Sequence, residues 1–267
     1  MNYESIQLKK KKAVATIVLY RPEHLNALNV VMCKELLDAI KQCELDETIR
    51  VVVLTGTGKA FCSGGDLQYM RSFITTGLSD SLDRMMEELV TAVNQVLLAI
   101  RKLRKPVIAA LNGFCSGGGA GLAQACDILI AAESAKLHVP NVRIGLVPDG
   151  GNSFFLVQKI GRHKATELYL TGEPLDAHEA YRLGLLRQVV PDEELIPETE
   201  RLAEKLSNGP RHAIGLAKSV IDMAAHNNLE TQLEVEKEAV ITCSGTREFK
   251  EGIAAFFEKR DPDFIKL

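Results

Sequence analysis

The 267-residue sequence contains no tryptophan and no excess of basic residues. It also lacks any apolar run of the roughly 18 residues that a membrane-spanning helix needs. The formal net charge of −3 argues against a nucleic acid as the main partner, because phosphate binding requires a basic surface. No His, Cys and carboxylate residues have the spacing of metal ligands. We therefore expect a protein that binds no metal, no nucleic acid and no membrane.

The cysteines at positions 33, 43, 62, 115, 126 and 243 include no C-x-x-C pair, and most of them stand in apolar stretches. Disulfide frameworks and redox motifs depend on such spacing, so we interpret these cysteines as reduced thiols. Reduced thiols predict a cytoplasmic location.

The sequence does contain a repeat. The five letters Phe-Cys-Ser-Gly-Gly occur at 61–65 and again at 114–118. Each copy follows an apolar run, 51–54 or 106–111, that predicts a buried strand, and each precedes residues that can start a helix. Glycine lets a ligand atom approach the backbone closely. Two such turns suggest two N–H donors that converge on one oxygen, as in an oxyanion hole.

Strands and helices alternate through the first two-thirds of the chain, which predicts an α/β fold. A hairpin is expected over 5–20, an amphipathic helix over 29–44 and a long helix over 82–103. From Ser153 onward helical patterns dominate, with one short strand expected at 187–190.

Several catalytic motifs are incomplete. A nucleophile elbow needs glycine two residues before its serine, where Phe61 and Phe114 stand instead. Cys62 and Cys115 could act as nucleophiles, but a small buried cysteine is the usual explanation for such residues. The P-loop and dinucleotide fingerprints each lack a glycine that their turns require.

Two further features have two interpretations each. The glycines of 117–119 precede a helix whose first N–H groups would attract an anion or a polarised carbonyl oxygen, but they also permit close strand–helix packing. Asp149, in the turn at 147–151, could cap the next helix or present its carboxylate to a ligand. The residues alone leave these alternatives open.

The repeat belongs to a longer series of motifs. They are Arg21-Pro22 with Asn26–Asn29, Ala60–Leu67, Asn112–Gly119 with Cys126-Asp127, Ile144–Pro148, Leu170–Gly172, Ala177 and Ala180 with Gly184-Leu185, and Glu251-Gly252 with Phe256 and Lys259-Arg260. In this order, and over essentially the whole chain, the series resembles the crotonase family of enoyl-CoA hydratases and isomerases.

The resemblance implies an α/β fold in which repeated ββα units form a crotonase-like spiral. The spiral core with its acyl-CoA site would cover 1–195. A helical C-terminal region over 196–267 would build a homotrimer, which in this family often pairs into a hexamer.

The resemblance also implies an acyl-CoA thioester as ligand, so coenzyme A is part of the substrate and no separate cofactor is expected. The N–H groups of Gly65 and Gly118, the last residues of the two pentapeptides, would form the oxyanion hole. Asp149 falls where isomerases of the family carry their acid. The other residues expected to contact substrate are Ala27, Leu28, Ser63, Gly64, Asp66, Leu67, Gln68, Gly117, Asn141, Phe256 and Lys259, the last two toward a coenzyme A that a neighbouring subunit could hold.

Hydratases of the family activate water with two glutamates, and this sequence has Gly121 and Asn141 at those positions. One carboxylate suffices for an allylic shift, so we expect an isomerase that converts 3-enoyl-CoA to 2-enoyl-CoA, or one that carries out a related ring isomerisation, with Asp149 as proton shuttle. The main alternative is a hydratase that uses Asp149. Dehalogenation is less favoured without a tryptophan clamp, and an RNA-binding or non-catalytic member is a further alternative.

Overall fold

The computed structural model describes residues 3–78 and 81–267, so residues 1, 2, 79 and 80 of the predicted 1–195 core lie outside the described residues. The strands are β1 (Ile6–Lys11), β2 (Val14–Leu19), β3 (Val51–Gly56), β4 (Ala60–Cys62), β5 (Val107–Leu111), β6 (Phe114–Ser116), β7 (Ile128–Ala132), β8 (Lys136–His138), β9 (Leu175–Asp176) and β10 (Gln188–Val190). The helices are α1 (Val30–Leu45), α2 (Leu67–Thr75), α3 (Leu82–Lys102), α4 (Gly118–Ala125), α5 (Asn152–Thr171), α6 (Ala177–Arg182), α7 (Leu195–Ser207), α8 (Arg211–Ala224), α9 (Leu229–Ser244) and α10 (Arg247–Glu258).

Successive strands enter two different sheets. The larger sheet has the order β1-β2-β3-β5-β7-β10, and the smaller has the order β4-β6-β8-β9. β3 is therefore followed by β4, β5 by β6 and β7 by β8, each time with a change of sheet and then a helix. This arrangement confirms the predicted α/β fold of repeated ββα units. The hairpin predicted over 5–20 is also present, with β1 antiparallel to β2.

The smaller sheet was not predicted from the sequence. The pentapeptides were interpreted as glycine turns, but their first residues form the short strands β4 and β6, which pair in parallel. The glycines follow where these strands end. Each pentapeptide is thus a strand of the second sheet that ends in a turn, which explains why each follows a strand of the first sheet so closely.

The larger sheet is buried on both faces because side chains of a strand alternate between its two sides. On β3, Val52 and Leu54 belong to the main core together with α1 and α3. Val51 and Val53 point to the opposite side, where they pack with Leu195, Leu202 and Ala203 of α7. Burial of one such side chain contributes about 1.5–3 kcal/mol.

Helix α7 therefore covers the outer face of the larger sheet, and the hairpin lysines Lys11 and Lys12 reach it through ion pairs with Glu200 and Glu204. Helices α8, α9 and α10 follow. The division of the chain at residues 195 and 196 stays a prediction. Among the described helices, none combines the length and apolar character that crossing a bilayer would require.

Helix α4 packs so closely on β4 that the backbones of the two elements are in contact. Glycine allows this approach because it has no side chain. A Cβ atom added at Gly119 would lie 2.3 Å from the carbonyl oxygen of Cys62 and 2.8 Å from its Cβ. Both contacts are far below van der Waals distance, so a methyl group at this position must push α4 away from the smaller sheet.

We expect Gly119→Ala to lower the free energy of unfolding by about 2 kcal/mol, because overpacking a rigid contact typically costs about 1–3 kcal/mol. Gly252→Ala in α10 is the matched control, since its Cβ would meet nothing closer than 4.0 Å. Replacing a helical glycine with alanine, where the methyl group has space, raises the free energy of unfolding by about 0.5–1 kcal/mol. Urea unfolding measures the free energy of unfolding of both variants. Equal destabilisation of the two would show that the close contact between Gly119 and Cys62 does not limit the size of the residue at position 119.

Candidate active site

A cleft of about 460 Å³ opens between the two glycine turns, α3 and the loop that precedes α5. It brings together all the predicted site residues except two. Its lining includes Ala27, Leu28, Ser63, Gly64, Gly65, Asp66, Leu67, Gln68, Gly117, Gly118, Asn141 and Asp149. Phe256, on α10, is 76% exposed and lies outside this lining, as does Lys259 directly after that helix. The prediction that these two reach a neighbouring subunit's ligand stays a prediction.

The two glycine turns are in direct contact. Gly64 has a φ of +97°, and a Cβ there would lie 2.9 Å from the Ser116 carbonyl oxygen and 3.3 Å from the Gly118 nitrogen. A side chain at this position would separate the turns. Neither Gly65 nor Gly118 donates its backbone N–H to another described residue. Two free N–H groups therefore lie on adjoining turns that both line the cleft.

The segment 21–28, which includes a short 3-10 helix at Pro22–His24, holds the first turn in place. Leu28 donates its N–H to the Gly64 carbonyl at 2.7 Å, and Asp66 donates its N–H to the Leu28 carbonyl at 3.1 Å. Arg21 donates to the Asp66 carboxylate at 2.9 Å and to the Ala27 carbonyl at 2.6 Å. The segment and the turn thus form one hydrogen-bonded unit.

Asp66 has a second structural task, because its carboxylate accepts the Tyr69 N–H and caps α2. Burial raises the pKa of Asp66, but the Tyr69 N–H and the Arg21 guanidinium outweigh burial and lower that pKa below its ordinary value. The carboxylate is fully committed to these partners, so Asp66 shapes the lining as an anchored anion.

Asp149 is held by two asparagines. Asn141 Nδ2 donates to Asp149 Oδ1 at 2.9 Å and to the Val147 carbonyl at 3.0 Å. Asn152 Nδ2 donates to the backbone carbonyls of Asp149 and Gly117, at 2.9 and 2.8 Å. The second asparagine ties the Asp149 loop to the second glycine turn.

The structure bears on both alternatives that the residues left open. Helix α5 is capped at Gly151 without a side-chain hydrogen bond, so Asp149 does not cap it. Gly119 packs closely on Cys62, as the packing interpretation expects, while the N–H of Gly118 has no acceptor among the described residues. The binding of an anion or a carbonyl oxygen there stays a prediction.

Position 121 has no room for any side chain. A Cβ added at Gly121 would lie 1.9 Å from the Gly150 carbonyl oxygen. The loop that carries Asp149 thus fills the space beside α4 that a longer residue would need. Asn141, predicted to contact substrate, has its amide N–H₂ bonded to Asp149 and Val147 and its Oδ1 buried. In the structure Asn141 is the positioning partner of Asp149.

The sequence prediction missed the apolar wall of the cleft. Met86, Leu89, Val90 and Val93 of α3 line it. Their spacing of i, i+3, i+4 and i+7 is the helical stripe that could have identified them. Phe114, Ser116 and His138 of the smaller sheet also line the cleft. Phe114 and Ser116 were missed because their pentapeptide was interpreted as a turn and not as a strand.

Three further side chains, Cys62, Cys115 and Tyr169, have raised pKa values that limit their chemistry. Burial raises the pKa of the Cys62 thiol to about 12 and that of Cys115 well above its ordinary value. Neither thiol lines the cleft, so neither is a nucleophile there. Burial, and then the nearby Asp149 charge, raise the pKa of Tyr169, which keeps this phenol neutral. The described residues form no cluster of three or more side chains that could hold a metal ion.

Comparison with known proteins adds an independent finding. Residues 9–266 match the family described as Enoyl-CoA hydratase/isomerase. The chain is 40% identical over 254 residues to the 1,2-epoxyphenylacetyl-CoA isomerase of Escherichia coli (strain K12), with 95% of each chain covered. It is 35% identical to the crotonyl-CoA hydratase of Syntrophomonas wolfei subsp. wolfei, covering 99% of each. The crystal structure of an enoyl-CoA hydratase from Bacillus anthracis is similar with a TM-score of 0.91 and 34% identity, covering 98% of this chain and 99% of that one.

The anchoring of the first turn can be tested with Arg21→Met. Loss of the guanidinium leaves the Asp66 carboxylate without its charged partner, which costs roughly 3–5 kcal/mol in a fully buried pair. Because the Arg21 side chain keeps 14% of its surface exposed, we expect Arg21→Met to lower the free energy of unfolding by about 2 kcal/mol. Urea unfolding at neutral pH measures this loss.

Arg182→Met is the matched control, since Arg182 pairs with Glu179 three residues away and 72% of the Arg182 side chain is exposed. Such surface pairs contribute about 0.5 kcal/mol or less. If both variants lose the same small amount, the Arg21–Asp66 pair does not anchor the turn.

Proposed function

The chain belongs to the enoyl-CoA hydratase/isomerase family, and on this premise we propose that it is an acyl-CoA isomerase that shifts the double bond of a 3-enoyl-CoA to the 2 position. The observation that carries the proposal is a lone available carboxylate. Three described carboxylates line the cleft, but Asp66 is paired with Arg21 and Glu23 is exposed. Asp149 alone remains free to exchange a proton with a bound acyl chain.

The two free N–H groups supply the electrophilic half of the reaction. The thioester oxygen accepts hydrogen bonds from Gly65 and Gly118 and carries the negative charge that develops when a proton leaves C2. Each donor of this kind contributes about 3 kcal/mol to the transition state. Gly118 also begins α4, where the helix dipole favours negative charge.

Asp149 supplies the proton-transfer half. Its carboxylate removes a proton from C2, the electrons move into a dienolate, and the same carboxyl group returns the proton to C4. The atoms balance without water or any other reactant. Asn141 occupies one carboxylate oxygen, Oδ1, at 2.9 Å and leaves the other for the migrating proton. Fixing the carboxylate in this way raises the rate because its orientation is set before the reaction.

A hydratase that uses Asp149 is the second candidate, and the similarity to a crotonyl-CoA hydratase over 99% of both chains favours it. Hydration needs a second group to place the water. The Gly150 carbonyl fills the space at position 121, and the Asn141 amide is engaged with Asp149. These contacts support the isomerase over the hydratase. The similarity to a 1,2-epoxyphenylacetyl-CoA isomerase supports a ring isomerisation as a variant of the same chemistry.

We also propose that the C-terminal helices pack against other copies of the chain in a homotrimer, alone or paired into a hexamer. Large apolar side chains on α8, α9 and α10 are exposed, among them Ile221, Leu229, Val240, Phe256 and Phe257. Exposed apolar side chains on three successive helices favour burial against another copy of the chain. The cytoplasmic location stays a prediction.

Asp149→Asn tests the proton shuttle. The amide cannot take up a proton, so we expect isomerisation of 3-hexenoyl-CoA to fall by about 10²–10⁴-fold, the range for a lost general acid–base group. Binding of hexanoyl-CoA should change little, because the amide keeps the size of the carboxylate. The absorbance of the conjugated 2-enoyl thioester follows the reaction, and an unchanged product mass shows that no water has been added. Asp261→Asn, which changes an exposed aspartate, is the control.

The same assay with 2-hexenoyl-CoA separates the two candidates. The isomerase proposal predicts no gain of mass with either substrate. Gain of one water on the 2-enoyl substrate, abolished in Asp149→Asn, would identify a hydratase instead. If no acyl-CoA binds, the proposed acyl-CoA function is wrong, and the RNA-binding or non-catalytic alternative is favoured.

Gly121→Ala tests whether the Asp149 loop must pack on α4. The added methyl group would lie 1.9 Å from the Gly150 carbonyl, so the loop must move. A displacement of about 1 Å can cost about 10²-fold in rate, and we expect kcat to fall by at least about tenfold. Gly245→Ala, whose Cβ meets nothing closer than 3.7 Å, should retain wild-type kcat. An unchanged kcat in Gly121→Ala would show that the loop position is not critical.

A further inference from the structure

A polar pair, Ser116 and His138, lies on the floor of the cleft and takes no part in the proposed proton transfer. The two residues are direct partners in the parallel register of β6 and β8. Neighbouring strands lie about 4.8 Å apart, so the side chains of this pair project side by side. The Gly117 N–H donates to the His138 carbonyl at 2.9 Å, which places the pair beside the second glycine turn.

The alternation of the smaller sheet directs this pair into the cleft. Cys115 and Leu137, the intervening residues on the two strands, are buried in the main core. Ser116 and His138 must therefore point to the opposite face, which is the face that lines the cleft. The ring of Phe114 lies on the same face, with its centroid 5.9 Å from that of His138.

One nitrogen of His138 is already engaged. Nε2 lies 2.9 Å from the Gly172 carbonyl oxygen, which can only accept, so we assign the proton to Nε2. In the neutral ring Nδ1 is then an acceptor. Among the described residues Nδ1 and Ser116 Oγ have no hydrogen-bond partner, and neither belongs to the buried unpartnered polar atoms. Both atoms are thus accessible from the cleft.

We propose that this pair binds a hydroxyl group on the acyl chain of the substrate, an inference that rests on the proposed acyl-CoA function. A hydroxyl group donates to His138 Nδ1 and accepts from Ser116 Oγ–H, so every polar atom gains a partner. A ketone or ether oxygen could only accept, which leaves Nδ1 unpaired. The Phe114 ring lies beside His138, and the apolar wall from Met86 to Val93 lines the same cleft. An acyl chain that fills this cleft displaces water from the pair, so a polar atom left unpaired there is costly.

The test uses saturated acyl chains joined to coenzyme A through an amide in place of the thioester, because a 4- or 5-hydroxyacyl thioester cyclises to a lactone and releases coenzyme A. Binding is then separated from catalysis, and each amide is called by the name of its parent acyl-CoA. The dissociation constant of hexanoyl-CoA is compared with those of its 3-, 4-, 5- and 6-hydroxy derivatives by isothermal titration calorimetry. We expect at least one isomer with its hydroxyl group at C4, C5 or C6 to bind about fivefold more tightly than hexanoyl-CoA, the gain typical of a net hydrogen bond.

Four variants identify the atoms responsible. Ser116→Ala removes the hydroxyl, and His138→Gln can keep the bond to Gly172 while it removes the group at Nδ1; both should reduce the ratio of dissociation constants to about one. His138→Asn retains a polar atom near the Nδ1 position and should keep part of the preference. Ser72→Ala, on the exposed side of α2, should keep the wild-type ratio.

Each remaining outcome overturns the inference in a different way. Equal binding of hexanoyl-CoA and all four hydroxy isomers, or a preference that survives both Ser116→Ala and His138→Gln, would remove the pair from substrate recognition. A preference confined to the 3-hydroxy isomer would mean that the pair holds the water of a hydration reaction. Failure of hexanoyl-CoA itself to bind would overturn the proposed function, whereas its normal binding without any hydroxyl preference would overturn this inference alone.

Discussion

The site depends on backbone-to-backbone contact between its two glycine turns. Gly64 lies so close to Ser116 and Gly118 that any side chain at Gly64 would separate the turns. This contact is possible because β4 and β6, the strands that precede the turns, are parallel neighbours in the smaller sheet. The sheet therefore brings the two free N–H groups onto adjoining turns, and the proposed oxyanion hole depends on this contact.

The other parts of the cleft are fixed to the same pair of turns. The segment 21–28 bonds to the first turn, and Asn152 bonds the Asp149 loop to the second. Gly121 lets that loop pack on α4 without a gap. Hydrogen bonds from the backbone and from the Asn152 and Asn141 amides, together with glycine packing contacts, therefore hold the carboxylate and the N–H groups in one arrangement. Such preorganisation is the main source of electrostatic catalysis.

Most of the cleft could be predicted from the sequence, because its glycines and Asp149 stand in motifs that resemble a known family. The smaller sheet could not, since a strand of three residues such as β6 is too short to show alternation. Ser116, on that strand, was missed for that reason. The tie between Asn141 and Asp149 depends on the path of an irregular loop, which no periodicity describes. Phe256 and Lys259 lie outside the cleft of a single chain, so their predicted role depends on an assembly.

The most direct test of the central claim is a crystal structure with hexanoyl-CoA bound. The account predicts that the thioester oxygen lies about 2.7–3.1 Å from the backbone nitrogens of both Gly65 and Gly118. It also predicts that C2 of the acyl chain faces the free oxygen of Asp149. A thioester oxygen that contacts neither nitrogen, or an acyl chain that enters on the side away from Asp149, would contradict the account.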